Sequence, residues 1–568
     1  MNKYQIHEKL NFTNMRELVE WAGETYADKY AYSFRRTAKS EITKIKFSSL
    51  REDVRSLACE LSSMGCAGKH CAIIGKLSYD WVLTYFAVLS IGGVLVPLDP
   101  EWQKEDLADT VSKAHASFLF CDEDIKAKGE YIAEQIKFEA EPVYLAAKDT
   151  ERNLRATMRA GKPKFDENPD PYYLAEIDPE ALALLVFTSG TTGKGKGVML
   201  SQKAVLEDMT NIIPYIDFGN KTVSVLPPHH TYGSSVMLVG HAIIGCEIYI
   251  SGGLRYITKE LAEQKPEHLV LVPLYLETFY RKIWANIKNQ GKEKLIKNMI
   301  KLSNGMCKVG IDLRKKIFSQ VRAAFGGEVK MIISGGAPIN PEILDFFRAM
   351  GITTLNGYGI TECAPIVAAN VSRNVVAGSI GNPIDCDEIK ILDPNEDGEG
   401  EICVKGPNVM LGYYQDPEAT AAAFTEDGFF RTGDAGKMVV TKEGDRILYI
   451  TGRFKNIIIL SNGKNVYPEE IEDALAATPG VVDIVVYEGK SRRGDAYNTI
   501  VAEIFPDKNF LADSGITDAK EYFQKFVNDY NKTAVPYKKI GILKVRTEEF
   551  PKNTLRKIMR FKLDTTIE

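Results

Sequence analysis

A chain of 568 residues is too long for one hydrophobic core and predicts several domains or subdomains. At 45% hydrophobic and 26% charged it is expected to be globular, and a net charge of −5 argues against nucleic acid as the main partner. Nine cysteines are scattered without a C-x-x-C pair, which argues against a disulfide framework or structural zinc and predicts a reducing, cytoplasmic setting.

The opening MNKYQIHEKL has no apolar run of the kind a signal peptide needs. Residues 81–98 (WVLTYFAVLSIGGVLVPL) are uncharged over about one membrane span. Gly92 and Gly93 interrupt the run and Pro97 to Pro100 end it as a turn, so a buried helix followed by a buried strand is predicted instead. Charged, proline-containing material at 122–179 is expected to be a surface excursion. Residues 223–250 are apolar but hold Pro227, Pro228, His229, His230 and Glu247, and no spanning helix is expected there.

Between these lies FTSGTTGKGKGVMLS (187–201), after the apolar run 183–186. Its glycines let backbone N–H groups approach an anion, its hydroxyls add donors, and Lys194 and Lys196 add charge with no acid to oppose them. The stretch reads as a phosphate loop between two strands. It is not a Walker A loop, because Gly197 stands where the magnesium-binding hydroxyl would follow the lysine. Ser201 is predicted to cap a helix whose one face carries Val205, Leu206, Met209, Ile212 and Ile213.

Strand-length apolar runs alternate with amphipathic stretches through the first four-fifths of the chain, an α/β pattern. Residues 277–325 predict two or three lysine-rich helices. After 451–453 the texture changes to a compact α+β set. Pro468 opens a helix with Glu469 and Glu470 in its first turn. Strands are expected at 484–486, 499–504 and 540–545, and a helix presents Phe523, Phe526, Val527 and Tyr530 on one face. Residues 532–568 carry ten basic groups against four acids, which suits a polyanionic substrate.

Four more stretches stand out: SGGAPINPEI (334–343), NGYGITE (356–362), FRTGDAG (430–436) and PKNTLRKIMR (551–560). Together with the phosphate loop, and in this order, they resemble the acyl-adenylate-forming superfamily of acyl-CoA synthetases, amino-acid adenylation domains and firefly luciferase. The stretches LSNGKNVYPEEIE and VPLYLETFYRKI look most like bacterial long-chain fatty acid–CoA ligases. The resemblance implies an α/β fold. Its N-terminal domain over 1–452 would be two stacked α/β sheets plus a small β-barrel, and a mobile α+β domain over 453–568 would hinge near Lys455.

It also implies a two-step reaction. A carboxylate attacks the α-phosphate of ATP to give acyl-AMP and pyrophosphate, and a thiol, usually of coenzyme A, then displaces AMP. The chemistry calls mainly for charge neutralisation. By matching residues, Thr188, Ser189, Gly190, Thr191, Thr192, Gly193, Lys194 and Lys196 would bind triphosphate. Gly336, Ala337 and Pro338 would line the adenine side, with Tyr358 and Gly359 beside the purine. Thr361 would reach the α-phosphate, and Glu362, with Thr188, would hold Mg2+. Asp434 would accept from the ribose hydroxyls and Arg453 would reinforce that grip. Lys557 would serve adenylation, and His230 would stand at the acyl-pocket mouth beside His229. The implied partners are a medium- to long-chain fatty acid and coenzyme A, with peripheral membrane contact and a monomer or homodimer. A carrier-protein thiol as acceptor, and an aryl or branched acid as substrate, stay open.

Gly195 stands where the family usually has proline, Ala435 where it has leucine, and Arg556 where it has glycine. The serine-hydrolase near-miss AGSIG has Ala377 in place of the required glycine, and no H-E-x-x-H supports a catalytic zinc.

Overall fold

A computed structural model describes residues 2–145, 153–188, 195–253, 255–459, 465–476, 478–490, 496–552 and 558–567. The chain is mixed α/β and falls into two compact units. One comprises Met1–Gly190, Gly195–Glu388 and Lys405–Phe424; the other comprises Ile389–Val404 and Thr425–Glu568.

Among the described residues the first unit holds three sheets. The largest has seven strands, and its central members His70–Ile74, Val94–Leu98 and Phe118–Asp122 run parallel. The uncharged stretch is what it was expected to be: helix Tyr79–Ser90, buried along its whole length, then the buried strand Val94–Leu98. Ser78 caps that helix by accepting from the Trp81 N–H. Among the described residues no helix is long and apolar enough to cross a membrane.

A five-stranded sheet follows the order His268–Leu271, Met331–Ser334, Thr353–Gly359, Ile366–Ala369 and Asn382–Pro383. Its first three strands are parallel, and the fourth returns antiparallel. Helix Pro341–Ala349 covers it with Phe346 and Phe347, which meet Phe279 and Phe325 in one core. The third sheet pairs Tyr30–Arg35 with Glu247–Ile250 in parallel.

The surface excursion expected at 122–179 is more ordered than its composition suggests. Helix Leu154–Glu167 lies on helix Phe47–Ser63 so closely that a Cβ at Gly161 would sit 1.9 Å from the Ser56 carbonyl oxygen. Its charges hid this contact, because the buried face needs only a glycine and a few apolar atoms.

In the second unit, strands Glu388–Leu392, Gly400–Lys405, Phe430–Val440 and Arg446–Arg453 form a four-stranded sheet. Helix Pro468–Ala476, strands Val481–Lys490, Ala496–Pro506 and Ile540–Val545, and helix Ala519–Thr533 follow the predicted α+β order. Phe523 and Val527 pack against Ile484, Val486 and Ile504 in a separate core.

Candidate active site

The phosphate-loop stretch is flanked by strands Leu182–Thr188 and Lys196–Ser201, paired antiparallel so that Thr188 faces Lys196. Ser201 caps helix Gln202–Ile212 on the Ala204 N–H, as its position predicted. A Cβ at Gly195 would come 2.6 Å from the Thr188 carbonyl oxygen, so in this chain the usual proline would fit here only if the backbone shifted. Ser189, Gly190, Thr191, Thr192, Gly193 and Lys194 lie outside the described residues.

Strand Gly412–Tyr413 adds to the edge of the same sheet, with Tyr413 opposite Val198. This places the Lys196 ammonium 4.4 Å from the centre of the Tyr413 ring, a cation–π contact. The Tyr413 hydroxyl donates to Glu362 Oε1 at 3.0 Å. Burial first, and then the Glu362 carboxylate, push the Tyr413 phenol far above its ordinary value, so it keeps the proton that it donates to Glu362. The sequence reading singled out Lys196 and Glu362 but missed Tyr413. The only signal was an aromatic pair after Gly412, which reads equally well as core.

Glu362 sits in a tight turn between strands Thr353–Gly359 and Ile366–Ala369, within the short helix Thr361–Cys363. The Ile360 N–H donates to the Pro365 carbonyl at 2.8 Å. The Met410 N–H donates to the Glu362 carbonyl, also at 2.8 Å. A Cβ at Gly359 would lie 2.1 Å from the Pro365 oxygen, so the hairpin requires glycine there. Behind the turn, buried Asp208 accepts from the Ile366 N–H at 3.1 Å. The Asn408 amide reaches Asp208 at 3.4 Å, Asp387 at 3.2 Å and the Cys363 carbonyl at 3.2 Å. Burial pushes the Asp208 carboxyl up and raises Asp387 to about 8, so this support carries less charge at neutral pH than its sequence suggests.

Gly336 follows strand Met331–Ser334 in the left-handed region, at φ +84, where glycine is at no cost. A Cβ at neighbouring Gly335 would come 3.1 Å from Cζ and the hydroxyl oxygen of Tyr232, so this backbone packs closely on the tyrosine's hydroxyl end. Ala337 and Pro338 lead from there toward helix Pro341–Ala349. Ser334 Oγ is buried without a hydrogen-bond partner among the described residues. Tyr358, nearly buried, lies near the end of the adjacent strand, two residues beyond the Ser334–Asn356 pair. Gly336, Tyr358, Thr361 and Glu362 therefore all fall at the carboxyl ends of the parallel strands or just beyond, where open α/β sheets place their ligands.

His230 precedes the wide π-helical run Tyr232–Gly240, and its Nδ1 accepts from the Tyr232 N–H at 3.2 Å. His229, beside it, is also part-buried. Its Nε2 is 3.6 Å from Asp99 Oδ2, and its Nδ1 has no partner among the described residues. Burial holds the His229 ring below its ordinary pKa despite Asp99. The sequence reading treated His229 as a neighbour only and did not foresee Asp99, which lies 130 positions earlier in the chain.

In the second unit, Asp434 and Arg453 face each other across paired strands, with Arg453 Nε 3.0 Å from Asp434 Oδ1. Thr432 Oγ1 accepts from the Asp434 N–H at 3.1 Å. Lys455 lies in the short helix Phe454–Asn456. Lys557 and Arg556 lie outside the described residues.

A metal-like trio also forms from distant positions: ligand atoms of His241, Cys246 and His268 lie within 4.8 Å of one another. Its hydrogen bonds close without an ion. His241 Nδ1 is 2.9 Å from the Val236 carbonyl and donates to it, and His268 Nδ1 accepts from the Gly219 N–H at 3.2 Å. The Nε2–Nε2 contact of 2.9 Å is then an N–H···N bond donated by His268. Burial lowers His241 to about 4 and also holds His268 well below its ordinary value, which keeps both rings neutral.

The profile of the AMP-binding enzyme family matches residues 19–414, which include the phosphate-loop strands and the Glu362 turn. The chain belongs to the AMP-binding enzyme family. This AMP-binding enzyme is 30% identical over 477 residues to long-chain-fatty-acid–CoA ligase 1 of Cavia porcellus, covering 76% of this chain and 65% of that protein. It thus spans about two-thirds of that relative's length. It is 29% identical over 455 residues to long-chain-fatty-acid–CoA ligase FadD15 of Mycobacterium bovis, covering 76% of this chain and 73% of that protein. The fold is shared with ATP-bound MatB from Rhodopseudomonas palustris at a TM-score of 0.74 and 23% identity, over 96% of this chain and 97% of that one. It is also shared with an anthranilate CoA ligase bound to anthranoyl-AMP, at a TM-score of 0.75 and 17% identity, over 97% and 96%.

Proposed function

We propose that this AMP-binding enzyme is an ATP-dependent acid–thiol ligase. It activates a medium- to long-chain fatty acid to acyl-AMP with release of pyrophosphate, and passes the acyl group to coenzyme A. The observation that carries this reading is the line from Lys196 through Tyr413 to Glu362, which sets a cation and an oriented carboxylate beside the strands of the phosphate loop. The relatives named as long-chain ligases favour the fatty acid.

In this reading Thr188, Lys196 and the loop between them hold the triphosphate. Glu362 and Thr188 offer hard oxygen donors that fit Mg2+, with Tyr413 fixing the orientation of the carboxylate. The ion, when bound, supplies charge neutralisation on the phosphates. Thr361 donates to the α-phosphate, and Tyr358 stacks on the purine beside the backbone of Gly336, Ala337 and Pro338. Asp434, steadied by Arg453, accepts from the ribose hydroxyls. His230 stands at the acyl mouth, and Lys557 stabilises charge on the α-phosphate during adenylation. The mobile lid begins at Arg453 and turns at Lys455.

The test is AMP release with a series of carboxylates from acetate to palmitate, with aryl acids as competitors. Each buried CH₂ contributes about 0.8 kcal/mol, roughly fourfold in kcat/KM per methylene up to the longest chain the acyl site buries. Equal kcat/KM for acetate and palmitate overturns the fatty-acid reading. Coenzyme A offered beside a holo-carrier protein identifies the thiol acceptor.

A further inference from the structure

Residues 281–316 carry eleven basic side chains against two acidic ones, and the ligase chemistry proposed above uses none of them. Within this stretch, helix Glu293–Lys308 turns one face inward, where Met299 and Ile300 pack against the core around Phe279 and Phe346. A second face carries Leu295 and Leu302, 53% and 63% exposed. Seven residues are two helical turns, so the two leucines lie in one row about 10 Å apart. Val309 continues the interval just past the helix at 73% exposed, and Ile311 and Leu313 follow, also exposed. Each of the first three is directly preceded by a lysine: Lys294, Lys301 and Lys308. One residue is about 100° around a helix, so Lys294 and Lys301, both exposed, form a second row beside the leucines.

A row of exposed aliphatic side chains is unfavourable in water and rare on a soluble surface unless something covers it. The lysines decide what. Protein interfaces are depleted in lysine, and a second copy of this chain would set two basic faces against each other. An anionic bilayer suits both rows. Leucine and valine enter the headgroup boundary while the lysine stems lie along it and their ammonium groups stay among the phosphates. We propose that helix Glu293–Lys308 and the following residues to 316 form a docking surface for an anionic phospholipid bilayer. The inference rests on the ligase reading and gives the peripheral membrane contact expected above a defined surface and lipid charge, and its test reads binding alone.

The full chain is sedimented with vesicles of phosphatidylglycerol mixed with phosphatidylcholine, and with vesicles of phosphatidylcholine only. The expected result is pelleting with the anionic vesicles, weakened by salt, and little with the neutral ones. Each lysine near an anionic surface is worth roughly fivefold in partitioning, so Lys294→Glu/Lys301→Glu lowers it at least tenfold. Leu295→Glu/Leu302→Glu lowers it comparably. Thermal unfolding of both variants matches the parent, because all four side chains are exposed. Equal pelleting on neutral vesicles, no pelleting on anionic ones, or unchanged binding by both folded variants overturns the proposal. So does a leucine variant that only splits a dimer and binds vesicles as before.

Discussion

Tyr413 shows how a residue without any motif of its own comes to control one that has a motif. Its hydroxyl occupies Glu362 Oε1 and its ring lies under Lys196, so one side chain orients both. A hydrogen bond to a charged group is worth roughly 1.5–3 kcal/mol. Tyr413→Phe keeps the ring and the cation–π contact and frees the carboxylate. We expect it to slow pyrophosphate release about tenfold and to raise the magnesium concentration needed for half-maximal rate, with the melting temperature unchanged. An unchanged magnesium dependence would show that the hydroxyl only fills space. Glu362 was legible in the sequence because NGYGITE is compact. Tyr413 was not, because it comes 51 positions later and meets Glu362 only when its two-residue strand joins the sheet edge.

Elements are held in register here by close approach and by buried polar pairs. The Glu362 hairpin closes only because Gly359 has no Cβ, which would stand 2.1 Å from the Pro365 oxygen. Gly359→Ala should therefore cost about 1–3 kcal/mol and most of the activity. Gly357→Ala, whose Cβ would find nothing nearer than 3.9 Å, is the control and should be tolerated. Calorimetry of the pair checks this, and equal melting temperatures would refute it. The His241–His268 bond ties the end of the π-helical run to strand His268–Leu271. Phe218 packs edge-on to both rings, and the Cys246 thiol is the other titratable group of the cluster. Burial depresses both ring pKa values, so the unfolded chain takes up protons first on acidification. The contribution is complete above about pH 6.5 and is lost as pH falls toward 4. For His241 alone the loss is about 3 kcal/mol. Urea midpoints across that window should fall steeply for the parent and less steeply for His241→Asn, which keeps a donor for the Val236 carbonyl. Parallel curves would exclude the pair as the cause.

At the scale of the whole molecule the question is what the C-terminal unit contributes to each half-reaction. In the proposed reading Lys557 would serve adenylation, where negative charge builds on the α-phosphate, and losing one such donor typically costs about 10² to 10³ in rate. Lys557→Ala should fail to make acyl-AMP from ATP yet still convert supplied acyl-AMP and coenzyme A to thioester. Lys455→Pro should do the reverse, because proline would fix φ at the proposed hinge. Measuring the two half-reactions separately decides it, and an equal loss of both in Lys557→Ala rejects the division of labour.

Local chemistry was enough to determine the strand–loop–strand–helix order around Lys196, the Ser201 cap, the buried helix and strand at 81–98, and the α+β order after Pro468. Each depends on side-chain period, a turn residue or a cap within a few positions. Helix Leu154–Glu167 escaped because its neighbour, helix Phe47–Ser63, lies about a hundred residues earlier. The Asp208–Asn408–Asp387 support, the His229–Asp99 contact and the His241–His268 bond escaped for the same reason. Chain order carries the identity of a donor or acceptor, but its partner, its burial and hence its charge are set only when distant strands and helices pack together. Asp387 is an ordinary acid as a letter in the sequence. It becomes a proton-holding one, with a pKa of about 8, because the loss of its water on folding outweighs the Asn408 hydrogen bond that favours its charged form.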